Sequence, residues 1–221
     1  KYNSSMTGST PDLSPARGRL DPAFEAPLSR GFQISTLDRK PATVMALWPD
    51  FRIAYVNPAW DTFAERNGGL PTIRERWDIG ANYLEAIALP LRPFYRHLLD
   101  TAPDSLATLH PATHDYECSS AETYRLLNLQ VFTLQDRAGF VLVHSLRVER
   151  PHADREVVST GLGDYLDANG LLHQCSHCRR VQSAADPGRW DWVPLWITSP
   201  PELVSHTLCP PCFDYYYVMP S

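Results

Sequence analysis

Four of the five cysteines in this sequence stand in two C-x-x-C pairs near the end of the chain. The first pair, in "QCSHCRR", is Cys175 and Cys178, and the second, in "LCPPCFD", is Cys209 and Cys212. The two-residue spacing lets both thiolates of a pair reach one ion, and two such pairs complete a tetrahedral site of four sulfur ligands. The pattern therefore predicts a bound metal ion, and zinc is the usual ion of such structural sites.

Other chemistries use the same spacing. The pairs can instead close as local disulfides or form a redox pair, since "CPPC" resembles some thioredoxin-type motifs, although no flanking strand and helix of that fold are evident. A c-type haem needs a histidine directly after the second cysteine, where Arg179 and Phe213 stand. His173, His177 and His206 lie beside the pairs and are candidates to replace one cysteine as ligand.

The composition limits the classes of function. With 221 residues, of which 43% are hydrophobic, the chain suits one large domain or an ordinary domain with a small one. A net charge of −5 argues against a nucleic-acid surface, which usually carries a basic excess. No apolar run approaches the roughly 18 residues of a membrane span, and the N-terminus shows no export signal. We therefore expect a cytoplasmic protein, where reduced thiols favour a metal over disulfides.

The hydrophobic pattern divides the chain into four parts. They are an N-terminal tail with a helix (1–40), a main domain (41–150), a linker (151–169) and the four-cysteine module (170–221). Within the first part an apolar residue recurs every four positions from Leu20 to Phe32, which predicts one apolar face of a short helix. Because no other burial site for this stripe is evident, we expect the helix to mediate a homodimer.

The main domain has the pattern of an α+β fold. Asn57 and Pro58 mark a helix start, since asparagine is a good N-cap and proline fits the first helical position, and Gly68 marks its end. Short helices are predicted over 78–108. The strand candidates are 43–48, 52–56, 114–119, 123–134 and 139–149. Two strands, helices and three further strands predict a five-stranded antiparallel sheet with its helices on one face.

Three stretches of the main domain carry a family resemblance: "LWPDFRIAYVNPAWDTFAERNGG", "GANYLEAI" and "HDYECSSAETYRLLNLQVFTLQDRAGFVLVHSL". They resemble the opening, the next segment and the three closing strands of a PAS domain. The resemblance implies a sensor or dimerisation module, and some members of the family hold haem, flavin or a small organic ligand between sheet and helices. Since the chain also contains no GxSxG, Walker, GxGxxG or HExxH motif, we expect no enzymatic activity.

Two histidines are candidate cofactor-binding residues if the sheet cavity holds haem or another ligand. His97, in "FYRHLLD", lies near the helix where haem-binding PAS domains often carry the iron ligand, and its alternative role is that of a surface residue. His144 shares a strand face with apolar residues, so it either lines the cavity or is a satisfied core histidine. Cys118 lies on a predicted strand outside any flavin-adduct motif, so we give it no role.

The module carries a second resemblance. With Gly188 and Trp190 between the pairs and Ser205-His206 before the second one, it resembles a cysteine-rich, zinc-ribbon-like module appended to bacterial PAS and response-regulator proteins. We therefore predict a cytoplasmic bacterial sensor or adaptor, in which a PAS domain with a small-molecule ligand is coupled to a structural zinc module and acts through a protein partner, without nucleic acid or membrane. The alternatives are a redox or metal sensor using the four cysteines and a haem-based gas sensor.

Overall fold

The computed structural model of the chain describes residues 16–104, 110–152, 155–158 and 161–217, so most of the predicted N-terminal tail lies outside the described residues. The strands are β1 (Arg19–Leu20), β2 (Thr43–Leu47), β3 (Ile53–Val56), β4 (Ala112–Glu117), β5 (Thr123–Thr133), β6 (Phe140–Pro151), β7 (Leu172–Cys175), β8 (Val181–Gln182), β9 (Trp190–Asp191) and β10 (Val204–Thr207). The α-helices are α1 (Glu25–Ser29), α2 (Ile34–Asp38), α3 (Pro58–Arg66), α4 (Thr72–Arg76), α5 (Tyr83–Ala86), α6 (Arg92–Thr101), α7 (Leu195–Thr198) and α8 (Pro210–Tyr217).

The main sheet is antiparallel throughout and has the strand order β1-β3-β2-β6-β5-β4. The mixed α+β class is confirmed, and the helices α3 to α6 lie in sequence between the strand pair β2–β3 and the strands β4–β6. The predicted count of five strands is wrong for the sheet as a whole. The segment before the main domain adds a sixth strand, in which Arg19 pairs with Val56 and Leu20 with Tyr55.

Both faces of the sheet are covered, so the prediction of helices on one face is also wrong. All five residues of β2 and all four of β3 are buried, and both strands contribute residues to two different apolar clusters. One cluster contains Met45 and Leu47 with residues of α5 and α6. The other contains Val44 and Ala46 with the N-terminal helices. A strand buried on both faces reads as a continuous apolar run, as "TVMAL" does.

The N-terminal segment packs against its own sheet. Phe24 and Leu28 are fully buried, and the ring of Phe24 meets Trp48 edge-on at 4.6 Å between centroids. The predicted single helix is a 3₁₀ turn followed by α1 and α2. The reason given for a homodimer, an apolar stripe without a burial site, is therefore wrong, while homodimerisation itself stays a prediction.

Asn57 occupies the N-cap position of α3, but its side chain caps nothing in that helix. The residue is fully buried, and its Oδ1 accepts a hydrogen bond from the backbone N–H of Val44 at 2.9 Å. Its Nδ2 faces three backbone oxygens, those of Leu37, Lys40 and Ala42, at 3.0–3.3 Å. The side chain thus ties the end of β3 to the start of β2 and to the end of α2.

The second sheet belongs to the C-terminal part of the chain and has the order β10-β7-β8-β9, with β10 parallel to β7. Its small core consists of Tyr165, Leu172, Val181, Val193 and Trp196. Trp196 belongs to this core, whereas the neighbouring Leu195 is 64% exposed. No helix among the described residues is long and apolar enough to cross a membrane.

We expect Asn57→Ala to lower the free energy of unfolding by about 3 kcal/mol, because the substitution leaves the buried N–H of Val44 without its side-chain acceptor and removes the donor to three backbone oxygens. Urea denaturation followed by circular dichroism measures the change. Asn82→Ala is the matched control, since Asn82 accepts a single capping bond from Leu84 at 2.9 Å and its loss costs about 1 kcal/mol. Equal losses in the two variants would contradict the central role of Asn57.

Candidate metal centre

The four paired cysteines meet in one cluster. The Sγ atoms of Cys175, Cys178, Cys209 and Cys212 all lie within 4.8 Å of one another, as the sequence spacing predicts. Cys175, Cys209 and Cys212 are buried, whereas Cys178 is partly exposed. Cys118, the fifth cysteine, lies outside the cluster on the segment after β4. A cluster of this composition is able to hold a metal ion.

The first pair sits on a tight turn between two strands. Cys175 ends β7, and its backbone N–H donates to the carbonyl oxygen of Arg180 at 2.8 Å. The N–H of Arg179 donates back to the carbonyl oxygen of Cys175 at 3.1 Å. Arg179 has a φ of +64°, in the left-handed region, which reverses the chain into β8. This turn aims both sulfur atoms of the pair in one direction.

The second pair sits at the start of a helix. Cys209 precedes α8 and its carbonyl oxygen accepts from the N–H of Phe213 at 2.8 Å, so Cys212 lies in the first turn. Pro210 and Pro211 occupy the first helical positions, where a missing N–H costs nothing. The turn after β7 and the start of α8 therefore bring the two cysteine pairs together from separate parts of the chain.

The separations between the sulfur atoms fit a tetrahedral thiolate site. Metal–sulfur bonds of about 2.3 Å, as zinc makes, place the sulfurs of a tetrahedron about 3.8 Å apart. The Sγ atoms of Cys178 and Cys209 are 3.7 Å apart. A disulfide bond brings sulfurs to about 2.0 Å, and all five cysteines have free thiols. The geometry thus favours a shared ion over two local disulfides.

The four thiols of the cluster shift one another's pKa values. Hydrogen bonding with Cys178 lowers the pKa of Cys175, while hydrogen bonding with Cys175 raises the pKa of Cys178 and that of Cys212. A cation at the centre favours the thiolate form of every ligand and takes the place of the thiol protons.

His177 contacts the cluster without belonging to it. Its Nδ1 lies 3.3 Å from Cys212 Sγ, and its Nε2 accepts the backbone N–H of Glu117, the last residue of β4, at 3.0 Å. Because Nε2 is the acceptor, Nδ1 carries the proton in the neutral ring and donates to the sulfur. His173 pairs with Asp167 instead. Neither His173 nor His206 belongs to the cluster, so neither replaces a cysteine there.

Arg155 makes a second connection between the module and the main sheet. Its guanidinium donates to the carboxylate of Glu117 at 2.6 Å and to the carbonyl oxygen of Cys178 at 3.2 Å. The guanidinium and the carboxylate are only 12% and 8% exposed, so this ion pair is largely shielded from solvent. Nothing in the sequence pattern singled out Arg155 or Glu117, because their pairing spans 38 residues.

Helix α8 packs onto the main domain. Tyr216 is buried in the apolar cluster of the main sheet, and its ring meets Phe94 of α6 edge-on at 4.9 Å. The neighbouring Tyr215 stacks on His177 and donates its hydroxyl to the carbonyl oxygen of Asp115 in β4 at 2.6 Å. The helix that supplies Cys212 therefore also covers the edge of β4.

The two candidate cofactor histidines lie in different environments. His97 is exposed on α6. His144 is 8% exposed on β6, lines a cavity beside the sheet and lies with its Nδ1 2.8 Å from the hydroxyl of Tyr116. Burial lowers the pKa of His144 to about 4, so the ring is neutral at physiological pH. Tyr116 reaches His144 from β4, which lies two strands away from β6 in the sheet.

No family model matches the chain, and no curated protein matches it. Among solved structures it is similar to the photoactive yellow protein domain from the sensor histidine kinase Ppr of Rhodospirillum centenum, at 10% sequence identity and a TM-score of 0.32. The match covers 52% of this chain and 94% of that domain. A similarity this low assigns no function.

We expect Cys209→Ser to reduce the metal content of purified, reduced protein from about one ion per chain to a small fraction, because an opened tetrahedron loses affinity. Elemental analysis measures the content, and thermal unfolding should show the module melting before the main sheet. Cys118→Ser is the matched control and should keep its metal. Wild-type protein without metal, together with disulfides found by mass spectrometry, would contradict the site.

Proposed function

We propose that this protein is a bacterial PAS-type sensor or adaptor of the cytoplasm, in which a small-molecule cavity in the main sheet communicates with a structural zinc site. The observation that carries the proposal is that the end of β4 lies against both the cavity and the metal centre. Tyr116 and Cys118 line the cavity, while Glu117 between them contacts both His177 and Arg155 of the metal centre. A change in the cavity is therefore one residue away from groups that contact the ligand cysteines.

A structural role for the metal follows from its ligand set. Catalytic zinc sites keep one position open for water, whereas four thiolates complete the tetrahedron. This supports a non-enzymatic role. The zinc instead holds β7, β8 and α8 together, and these elements present the side chains that touch β4.

We propose that the output passes through a protein partner. The module carries large apolar side chains on its surface, among them Leu203 at 58% exposure and Phe213 at 50%. Where such side chains form one contiguous patch, they mark a contact surface between proteins. Pairing of two copies of the chain remains a separate proposal, which sedimentation of the full chain tests.

The alternative of a thiol-based redox sensor receives less support. Reactive cysteines are accessible thiolates, whereas Cys175, Cys209 and Cys212 are 0%, 4% and 8% exposed. Haem binding through His97 receives no support from its exposed position, and an absorption spectrum of the purified protein tests it.

The communication between the two sites is tested by amide hydrogen exchange with and without metal. We expect chelation to accelerate exchange along β4 at least about tenfold, most of all at the Glu117 amide, because loss of the metal frees the turn after β7 that carries its acceptor, His177. The central strand β2 is the internal control and should be unaffected. By thermodynamic reciprocity, a ligand that changes β4 then changes the module to the same extent.

His177→Phe supplies the matched variant for this experiment. The phenyl ring keeps its place against Tyr215 but accepts no hydrogen bond, so Glu117 should exchange fast in the variant whether or not metal is bound. All four cysteines remain, so the metal content should persist. Unchanged amide exchange rates in β4 after metal removal from the wild type would contradict the proposed communication.

Treatment with mild peroxide separates the sensor role from the redox alternative. We expect little zinc release, and oxidation limited to Cys118, because three of the four ligand thiols are buried and the sulfur of Cys178 is occupied by the metal. A zinc-binding dye and mass spectrometry of the thiols give the readout. Rapid, stoichiometric release of zinc would favour the redox sensor.

A further inference from the structure

The cavity beside His144 has the size and lining of a ligand site. Its volume is about 260 Å³, and it lies between the strands β2, β4, β5 and β6 and the helices α3 to α6. Phe63, Ile73 and Leu127 contribute apolar walls. Since a cavity of about 150 Å³ accommodates a benzene ring, this one suits a bicyclic ring system.

Two nitrogen atoms of residues that line this cavity are buried without a hydrogen-bond partner among the described residues. They are Nε1 of Trp60 on α3 and Nε2 of His144 on β6. Unpaired buried polar atoms are rare in folded proteins and cost free energy. Two such atoms at one cavity, on facing elements, indicate that a bound molecule pairs with them.

The chemistry of these atoms specifies the group that they bind. An indole N–H is a donor only, so Trp60 requires an acceptor. When the Tyr116 hydroxyl donates to Nδ1 of His144, Nε2 carries the proton and is a second donor. One carbonyl oxygen has two lone pairs and accepts from both.

The lining also limits the charge of the molecule. None of the residues that line the cavity is an aspartate, glutamate, lysine or arginine. A carboxylate or ammonium buried there would lack a counter-ion, and such burial is strongly unfavourable. A neutral molecule therefore fits better than an ion of the same size.

We propose that this cavity binds a neutral bicyclic aromatic molecule whose carbonyl oxygen accepts hydrogen bonds from Trp60 and His144. The idea that this ligand acts as a signal rests on the sensor role proposed above, because Tyr116 of its site belongs to β4, the strand that contacts the metal centre. As a binding site it is independent of that role.

Coumarin and naphthalene are suitable probes, because both are neutral bicyclic molecules and only coumarin has a carbonyl oxygen. Titration calorimetry on the full, metal-loaded chain measures their affinities for the wild type and for Trp60→Phe. We expect the substitution to weaken coumarin binding roughly 3- to 10-fold through the lost hydrogen bond, and to leave naphthalene binding within about twofold. Trp196→Phe, in the core of the module, is the matched control and should change neither affinity.

A second measurement does not depend on the variant folding normally. The indole N–H resonance of Trp60 should move on addition of coumarin, as hydrogen bonding requires, and much less on addition of naphthalene. Absence of coumarin binding to folded wild type, equal binding to the wild type and Trp60→Phe, or an unmoved indole resonance would overturn the assignment. Coumarin binding without metal-dependent exchange in β4 would uphold this site and count against the proposed communication. Metal-dependent exchange in β4 without coumarin binding would uphold the communication and count against this site.

Discussion

The convergence of four sulfur atoms is the constraint on which the C-terminal third of this protein depends. The cysteine pairs are separated by 30 residues that contain only short strands and one short helix. The small core that these elements share with Tyr165 and Leu172 has five buried residues, too few to hold a fold of this size by burial alone. A metal ion shared by the four sulfur atoms would cross-link the turn after β7 to the start of α8 and so supply the missing restraint.

That cross-link also determines how the edge of the main sheet is covered. β4 is an edge strand, and an edge exposes unpaired backbone groups that invite pairing with other chains. Here the N–H of Glu117 is paired by His177 and the carbonyl oxygen of Asp115 by Tyr215. Both partners belong to elements that the four cysteines hold in place. The metal centre and the sheet edge are therefore parts of one arrangement, and Arg155 strengthens it with a shielded ion pair.

The opposite side of the sheet depends on the N-terminal segment. Burial of Phe24 and Leu28 on this face requires β2 and the end of α2 to lie at fixed positions. Asn57 supplies this restraint through backbone hydrogen bonds to both. The segment completes a domain that would otherwise expose an apolar face, which explains why the sheet is covered on two sides.

Sequence alone determined the features that depend on local pattern. The strands β2 to β6 and the helix α3 follow from apolar periodicity and from residues such as Pro58 and Gly68, whose backbone preferences act within a few positions. The four ligand cysteines follow from spacing, because C-x-x-C is a local geometry that recurs wherever two thiolates share an ion.

Only the tertiary structure decided which distant groups meet. Locally, the side chain of Asn57 is equally suited to capping α3 and to hydrogen bonding with backbone groups of other segments. Its burial against three other segments selects the hydrogen-bonding role. The contacts of His177 with Glu117, of Arg155 with the same residue, and of Tyr116 with His144 join positions 60, 38 and 28 residues apart. No local preference encodes such pairs. The pair of Tyr116 and His144 forms only when β4 and β6 join one sheet, and the contacts of His177 and Arg155 form only when the module packs against the sheet edge.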